Sequence, residues 1–397
     1  MLQLIIVNIM MDLIMKKIIP LVLSSVFLTG CMTTHSAYNN NNKHQPAPKV
    51  EFAKDFFTEE IKQCGYAKMT TFNVSYADAL LYVTPEDLYE SGSLTVKWNY
   101  IGDKVLRLVD LSYTVASDKD AQGAKVLLNI IEEAANTNLM YNWENWNDIK
   151  GKSCWKGPDG KCAYHHPEFT THFITGILIS AIVLEEYITP QQKVTFDKYF
   201  AKMYKRFIRP QAFNNWSSGF YANANGGVGN IAYARWTNDE KLFLKEVNYR
   251  KKIIRGHFRK DGWIENNSWR GNRDYWYHTL GLDSALGYML LARANGYDLF
   301  KDTDINSRIS ASIDKTVLGN KSLEEFSKKG YKGKNHVTGK RGARPHMHQE
   351  SINLVQIMQE EYGVYITPRK QHFSRQHGRE KVSSHVGFNA SCYYKNN

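Results

Sequence analysis

Apolar positions along most of the chain recur at three- and four-residue intervals, the spacing that gathers them on one face of a helix. Over 120–140 (DAQGAKVLLNIIEEAANTNLM), Val126, Leu127, Ile130 and Ile131 fall on one stripe. The segment 168–188 follows Pro167 and is apolar nearly all round, which predicts an inner helix. The amphipathic segment 189–209 opens with Thr189-Pro190, a cap followed by proline at the first helical position. Further helices are expected over 215–236, 239–258, 273–295, 305–317 and 349–362, and the best strand signal is the alternation in 93–100. Apolar helices alternating with amphipathic ones across short turns predict a mainly all-α fold with an inner and an outer layer. That is an α/α toroid, an incomplete α/α barrel of antiparallel helix pairs. A plain α-solenoid is the alternative, and no fixed sequence period supports it.

The N-terminus has a different pattern. From Met15 it reads MKKIIPLVLSSVFLTGC, with Lys16 and Lys17 as a basic n-region, an apolar run over 18–28, and Leu28-Thr29-Gly30-Cys31 as a small-residue cleavage site. These features resemble a bacterial lipoprotein signal that starts at Met15. The resemblance implies cleavage before Cys31 and lipid attachment to its sulfur, which makes Cys31 a membrane anchor. An uncleaved anchor is the competing reading, but the apolar run is too short to span a bilayer. Met32, where an Asp would signal retention, resembles outer-membrane sorting, so the expected place is the periplasm with an outer-membrane anchor. Residues 1–30 are therefore read as signal peptide. Residues 31–50, polar, Asn-rich and carrying two prolines, form a flexible linker, and 51–397 form the folded domain.

Composition narrows the picture further. With 43% hydrophobic residues in 397, the chain can bury a large core, which excludes a disordered chain, a collagen-like rod and a small disulfide scaffold. Lys and Arg number 51 against 39 Asp and Glu, a net charge of +12 that drops to +11 when Lys16, Lys17 and Asp12 leave with the signal. Such a charge concentrates polyanions near the surface. Nucleic acid is one polyanion, but no nucleic-acid-binding motif is present and the expected compartment holds little of it. In an exported protein, Cys64, Cys154, Cys162 and Cys392 are free to form disulfides. Cys154 with Cys162, and Cys64 with Cys392, are the favoured pairs. No C-x₂-C or H-x₃-H grouping surrounds these cysteines, so no metal and no cofactor is expected.

Three segments carry candidate chemistry. RGNRDYWYH (270–278) opens a helix, where residues four apart share a face, so Arg273 and Tyr277 can point into one cleft with Arg270 at the helix start. A tyrosine beside guanidinium groups can transfer protons, because positive charge favours a phenolate. Two arginines can also grip a carboxylate in a bidentate manner. An ordinary amphipathic helix start with surface arginines is the plain alternative. FNNWSSG (213–219) places Asn214, Asn215 and Trp216 before a helix, where amides can donate to an anion and an aromatic can stack on a sugar. A turn and cap would look the same. YNWENW (141–146), with Trp143 and Trp146, and the downstream His165, His166 and His172 suit a carbohydrate groove as well as they suit core packing.

Together the segments resemble the alginate lyases of polysaccharide lyase family 5. Over 214–300 the order is an Asn-Asn-x helix start, a charged turn holding Asp261-Gly262, then Arg270, Arg273, Tyr277 and His278, then an apolar helix ending in Asn295-Gly296-Tyr297-Asp298-Leu299. The segment around Trp143 resembles the family's sugar-binding helix more loosely. The resemblance implies metal-independent β-elimination on a uronate polysaccharide, with Tyr277 as base and acid, Arg270 stabilising phenolate or substrate, and Asn215 binding the uronate carboxylate. Arg273, Trp216, Asn214, Trp143, Trp146, His172 and His346 would contact the polymer.

One position departs from the pattern. The family's catalytic histidine falls on Trp216, whose indole donates one hydrogen bond but cannot titrate. His278, His172, His165, His166 or the cluster Arg344-Pro345-His346-Met347-His348 could cover the role. Two other readings stay open: a polysaccharide-binding lipoprotein with weak or no catalysis, and a glycoside hydrolase on the same toroid. The hydrolase would need two carboxylates, drawn from Asp261, Glu265, Asp274 and Asp283.

Overall fold

The computed structural model describes residues 69–83, 94–141, 146–149, 152–156, 162–163, 166–213, 220–329, 347, 352–367, 390 and 393–394. The chain divides into two units, Met1–Ala47 and Pro48–Asn397, and every described residue belongs to the second. Its elements are α1 (Thr71–Asp78), α2 (Leu94–Asp118), α3 (Ala121–Asn136), β1 (Trp146–Ile149), β2 (Lys152–Lys156), β3 (Cys162–Ala163), α4 (His166–Val183), α5 (Pro190–Met203), α6 (Arg209–Phe213), α7 (Phe220–Thr237), α8 (Glu240–His257), α9 (Asp274–Ala294), α10 (Thr303–Lys321), α11 (Leu323–Lys329) and α12 (Ile352–Tyr362).

Side-chain burial sorts these helices into two layers. Every residue from Thr170 to Leu184 except Gly176 is buried, and so is every residue of α9 from Asp274 to Ala292. Helices this dry on all faces must be inner ones, and α2, α4, α7, α9 and α12 pack each on the next as an inner series. Helices α3, α5, α8 and α10 bury one stripe only and back this series, with α3 against α2 and α5, and α8 against α7 and α10. The two layers are those of the α/α toroid expected from the helix pattern.

Local chemistry sets the helix ends. Thr189 accepts from the Gln192 backbone N–H at 3.2 Å while the Gln192 side chain reaches back to the Thr189 N–H, a full capping box with Pro190 at the first helical position. Asp120, Asp239 and Asp302 cap α3, α8 and α10 with the first half of this arrangement, each carboxylate accepting from a backbone N–H three residues on. The Asn295-Gly296 pair is a helix stop. Gly296 has a φ of +90°, and the Tyr297 N–H bonds back to the Ala292 carbonyl at 2.9 Å.

Two local expectations change. Residues 94–100 are helical, being the first turns of α2, so the strand expected over 93–100 does not form. Their alternation is overridden by the burial of Val105, Leu108, Val109, Ser112, Val115 and Ala116 further along the same helix at helical spacing. The strands that do form, β1 to β3, make a small antiparallel sheet in the order β1-β2-β3. Its register sets Lys156 opposite Cys162, and Cys154 opposite Asn147. The favoured pair Cys154 and Cys162 thus falls on neighbouring strands, two residues out of direct register. Cys64 and Cys392 lie outside the described residues, as do Cys31 and the whole of 1–68. Among the described residues no helix is long and apolar enough to cross a membrane.

Candidate active site

Helix α9 begins where a tight connection from α8 ends. The connection doubles back through an antiparallel bridge between Phe258 and Ile264. Gly262 turns it at a φ of +87°, and a Cβ there would lie 2.2 Å from the Ala311 carbonyl oxygen, so this position of the Asp-Gly turn admits only glycine. Asn266 then takes a φ of +59°, a left-handed conformation that asparagine tolerates.

The three residues Asn266, Asn267 and Ser268 hold the opening turn of α9 in place. The Asn266 carbonyl accepts from Nε of Arg270 at 2.6 Å, and this places the Arg270 guanidinium 4.3 Å from the centre of the Tyr277 ring. Asn267, fully buried, donates from Nδ2 to the Tyr277 carbonyl at 2.8 Å and accepts at Oδ1 from the Phe220 backbone N–H at 3.0 Å. Ser268 accepts at Oγ from the Ile264 N–H and lies 2.8 Å from Nδ1 of His278. Sequence reading missed all three. The signal available was Asn-Asn-Ser just ahead of Arg270, which by itself reads only as a turn.

Tyr277 and His278 are adjacent in the chain but point to different surroundings, because successive helical residues diverge by about 100°. Tyr277 is 8% exposed and sits with Trp276 and Leu280 in a small apolar cluster separate from the main core. The rings of Trp276 and Tyr277 meet edge to face at 4.6 Å. Arg270 and Arg273 are both half-buried at the helix start, and of the two it is Arg270 that stands over the Tyr277 ring. His278 is fully buried. Its Nε2 lies 3.1 Å from the Ser312 carbonyl, which can only accept, so Nε2 carries the proton and Nδ1 accepts from Ser268. Burial, opposed by the Ser312 carbonyl and helped by Lys315, pushes its pKa down to about 4. The suggestion that His278 stands in for the absent catalytic histidine is corrected here: both ring nitrogens are engaged and the ring is sealed from solvent.

His172 is on α4, 5% exposed and edge-on to Phe173 at 6.1 Å, with its neighbour Thr171 donating to the Phe207 carbonyl. Trp146 opens β1, opposite Trp155. Asn214, Asn215, Trp216, Trp143, His165, His346 and His348 lie outside the described residues, and Phe220, five residues after Asn215, is where the described chain resumes. Of the carboxylates a hydrolase would need, Asp261 makes two hydrogen bonds to Arg259 at 3.0 and 2.8 Å, and Glu265 lies 3.7 Å from the same guanidinium. Asp274 and Asp283 are buried on α9. Two of the four are thus committed to one arginine.

Residues 158–325 match the family model described as alginate lyase. The match encloses the span 214–300 over which the sequence resembles that family and bears the resemblance out. No curated protein matches the chain. Among solved structures, the fold is similar to that of alginate lyase A1-III from Sphingomonas species A1, at 11% identity and a TM-score of 0.51, over 90% of this chain and 87% of that one. At such low identity the likeness speaks for the toroid, and it extends the fold well beyond the matched segment.

Proposed function

With an alginate lyase segment over 158–325 as the premise, we propose that the chain cleaves a uronate-containing polysaccharide, of the poly-mannuronate kind, by β-elimination without a metal. The C5 proton lies α to the uronate carboxylate and is barely acidic until the carboxylate charge is neutralised. Arg270 and Asn215 supply that neutralisation. Tyr277 takes the proton and returns it to the departing O4 oxygen, so one group serves as base and then as acid. Arg273 and Trp216, with Trp143 and Trp146, line the path of the polymer.

The observation that carries this reading is the Arg270 guanidinium held 4.3 Å over the Tyr277 ring by a neutral carbonyl. A cation there favours the negative charge that grows on the ring oxygen as the proton moves. The lipoprotein signal supports a periplasmic enzyme, tethered through Cys31 to the outer membrane, whose partner is an anionic polysaccharide.

A second reading, a binding protein without turnover, is favoured by Trp216 at the family's histidine position together with the sealed state of His278. One experiment separates the two. The mature chain is incubated with mannuronan, guluronan, glucuronan and capsular uronates, and the ultraviolet absorbance of unsaturated chain ends is monitored. A rise on one polymer is the expected result and names the substrate. Binding without a rise selects the second reading, and neither binding nor a rise rejects a uronate ligand.

A further inference from the structure

We propose that Asn267 is a positioning residue that holds the base Tyr277, at the opening of α9, in place against the first turn of α7. This inference rests on the lyase reading for its catalytic consequence. Both helices belong to the inner layer: α7 begins at Phe220, and Tyr277 lies in the first turn of α9. Asn267 bonds directly to both. Its Oδ1 takes the Phe220 N–H at 3.0 Å and its Nδ2 donates to the Tyr277 carbonyl at 2.8 Å.

Those contacts have the marks of a built joint. Asn267 is fully buried, so each bond is made away from competing water. The Phe220 N–H belongs to the first turn of α7, where an amide has no partner within its own helix. A primary amide can accept from one backbone and donate to another at the same time, and an Asp in its place would turn a second acceptor toward the Tyr277 carbonyl. Room for it is made by Gly281, one turn after Tyr277 on α9. A Cβ at 281 would lie 2.6 Å from Nδ2 and 3.0 Å from Cγ of Asn267. The neighbouring Ser268 performs a different task, tying His278 and thereby α10, whereas Asn267 joins the opening turns of α7 and α9.

Catalytic geometry is sensitive to small displacements, and a misplacement of about 1 Å can cost about 10²-fold in rate. Asn267→Ala removes both bonds. Gly281→Ala pushes the amide off the Tyr277 carbonyl with Asn267 in place. Each is expected to lower kcat on the polymer that the wild type cleaves by about tenfold to a hundredfold with KM little changed. The double variant has space for the new methyl, so it should equal Asn267→Ala and not multiply the two losses. In parallel, hydrogen exchange at the Phe220 amide, read by fragmentation mass spectrometry, should accelerate in Asn267→Ala beyond any change at the other inner-helix termini. Gly281→Ala carries the test should Asn267→Ala fail to fold. A folded variant with wild-type kcat, or Phe220 exchange unchanged in Asn267→Ala, overturns the proposal. Should the wild type cleave no uronate polymer, the lyase reading fails, while the exchange result still decides whether Asn267 joins the openings of α7 and α9.

Discussion

Helix α9 carries two tyrosines beneath guanidinium groups, three helical turns apart, in opposite surroundings. Deep in the fold Arg250 lies 5.3 Å from the centre of the Tyr288 ring. It is fully buried and bonds through Nε and a terminal nitrogen to Oε1 of Glu246, whose other oxygen accepts from Asn230 at 2.6 Å. A Cβ at Gly227 would lie 2.5 Å from the guanidinium, so α7 leaves room for it. The pair stitches α8 to α7 and α9, its charge is cancelled on the spot, and burial pushes the Tyr288 phenol well above its usual pKa. At the mouth of α9, Arg270 stands over Tyr277 but hangs from a carbonyl oxygen. There a backbone carbonyl orients the guanidinium over the ring. The first pairing is a structural rivet completed by a carboxylate, whereas the second is the one to which the proposed reaction assigns proton transfer.

The sharpest way to break this contrast is to remove the two hydroxyls in turn. Tyr277→Phe should lower turnover by about 10³- to 10⁴-fold, the scale of a lost general acid–base group, with the thermal midpoint near that of the wild type. Tyr288→Phe should keep turnover within about threefold, since its hydroxyl neither meets substrate nor titrates. Equal losses of activity in the two, measured by the absorbance assay on matched folded protein, would dissolve the distinction.

The arginines should part in the opposite sense. Arg250→Met leaves the Glu246 carboxylate buried without its cation and should cost about 3–5 kcal/mol of unfolding free energy, read from the denaturant midpoint. Adding Glu246→Leu should recover most of that loss, because the double variant leaves no uncompensated charge. Arg270→Met, at a half-buried position, should change stability by only about 1 kcal/mol while lowering turnover by about 10²-fold. A large stability loss at Arg270 would make it a rivet too.

How far the fold and the site are legible in the sequence depends on the range of the interactions. The near-uniform apolarity of 168–188 marks α4 as an inner helix, and the four-residue spacing of Arg273 and Tyr277 with Arg270 at the helix start marks the mouth of α9, because both are local patterns on a single helix. Asn267 is invisible as anything but a turn residue, since its two partners lie 47 and 10 positions away. His278 looks available for chemistry because its neighbour Tyr277 does. Its seal comes from Ser312, 34 positions on, and from a helix packing that no local pattern announces. The alternation of 93–100 suits a strand on its own, and only the stripe continuing through α2 explains why those residues are helical.

His278 offers the most finely graded test, because it predicts how stability should depend on pH. In the unfolded chain a histidine takes up its proton near pH 6.5, whereas in the folded state burial holds the His278 pKa down to about 4. Between those values the unfolded state binds a proton that the native state refuses, so the unfolding free energy falls as the pH falls through this window. The stability in question is fully present above pH 6.5 and lost toward pH 4, by an amount on the order of 3 kcal/mol for a shift of this size. Denaturant midpoints of the wild type across that range should decline more steeply than those of His278→Gln, whose amide keeps a donor and an acceptor but cannot titrate. Turnover per folded molecule should have the same pH profile in both proteins. A change in that profile would return His278 to the reaction, whereas a change in stability alone confirms it as the strut that ties the helix of Tyr277 to α10.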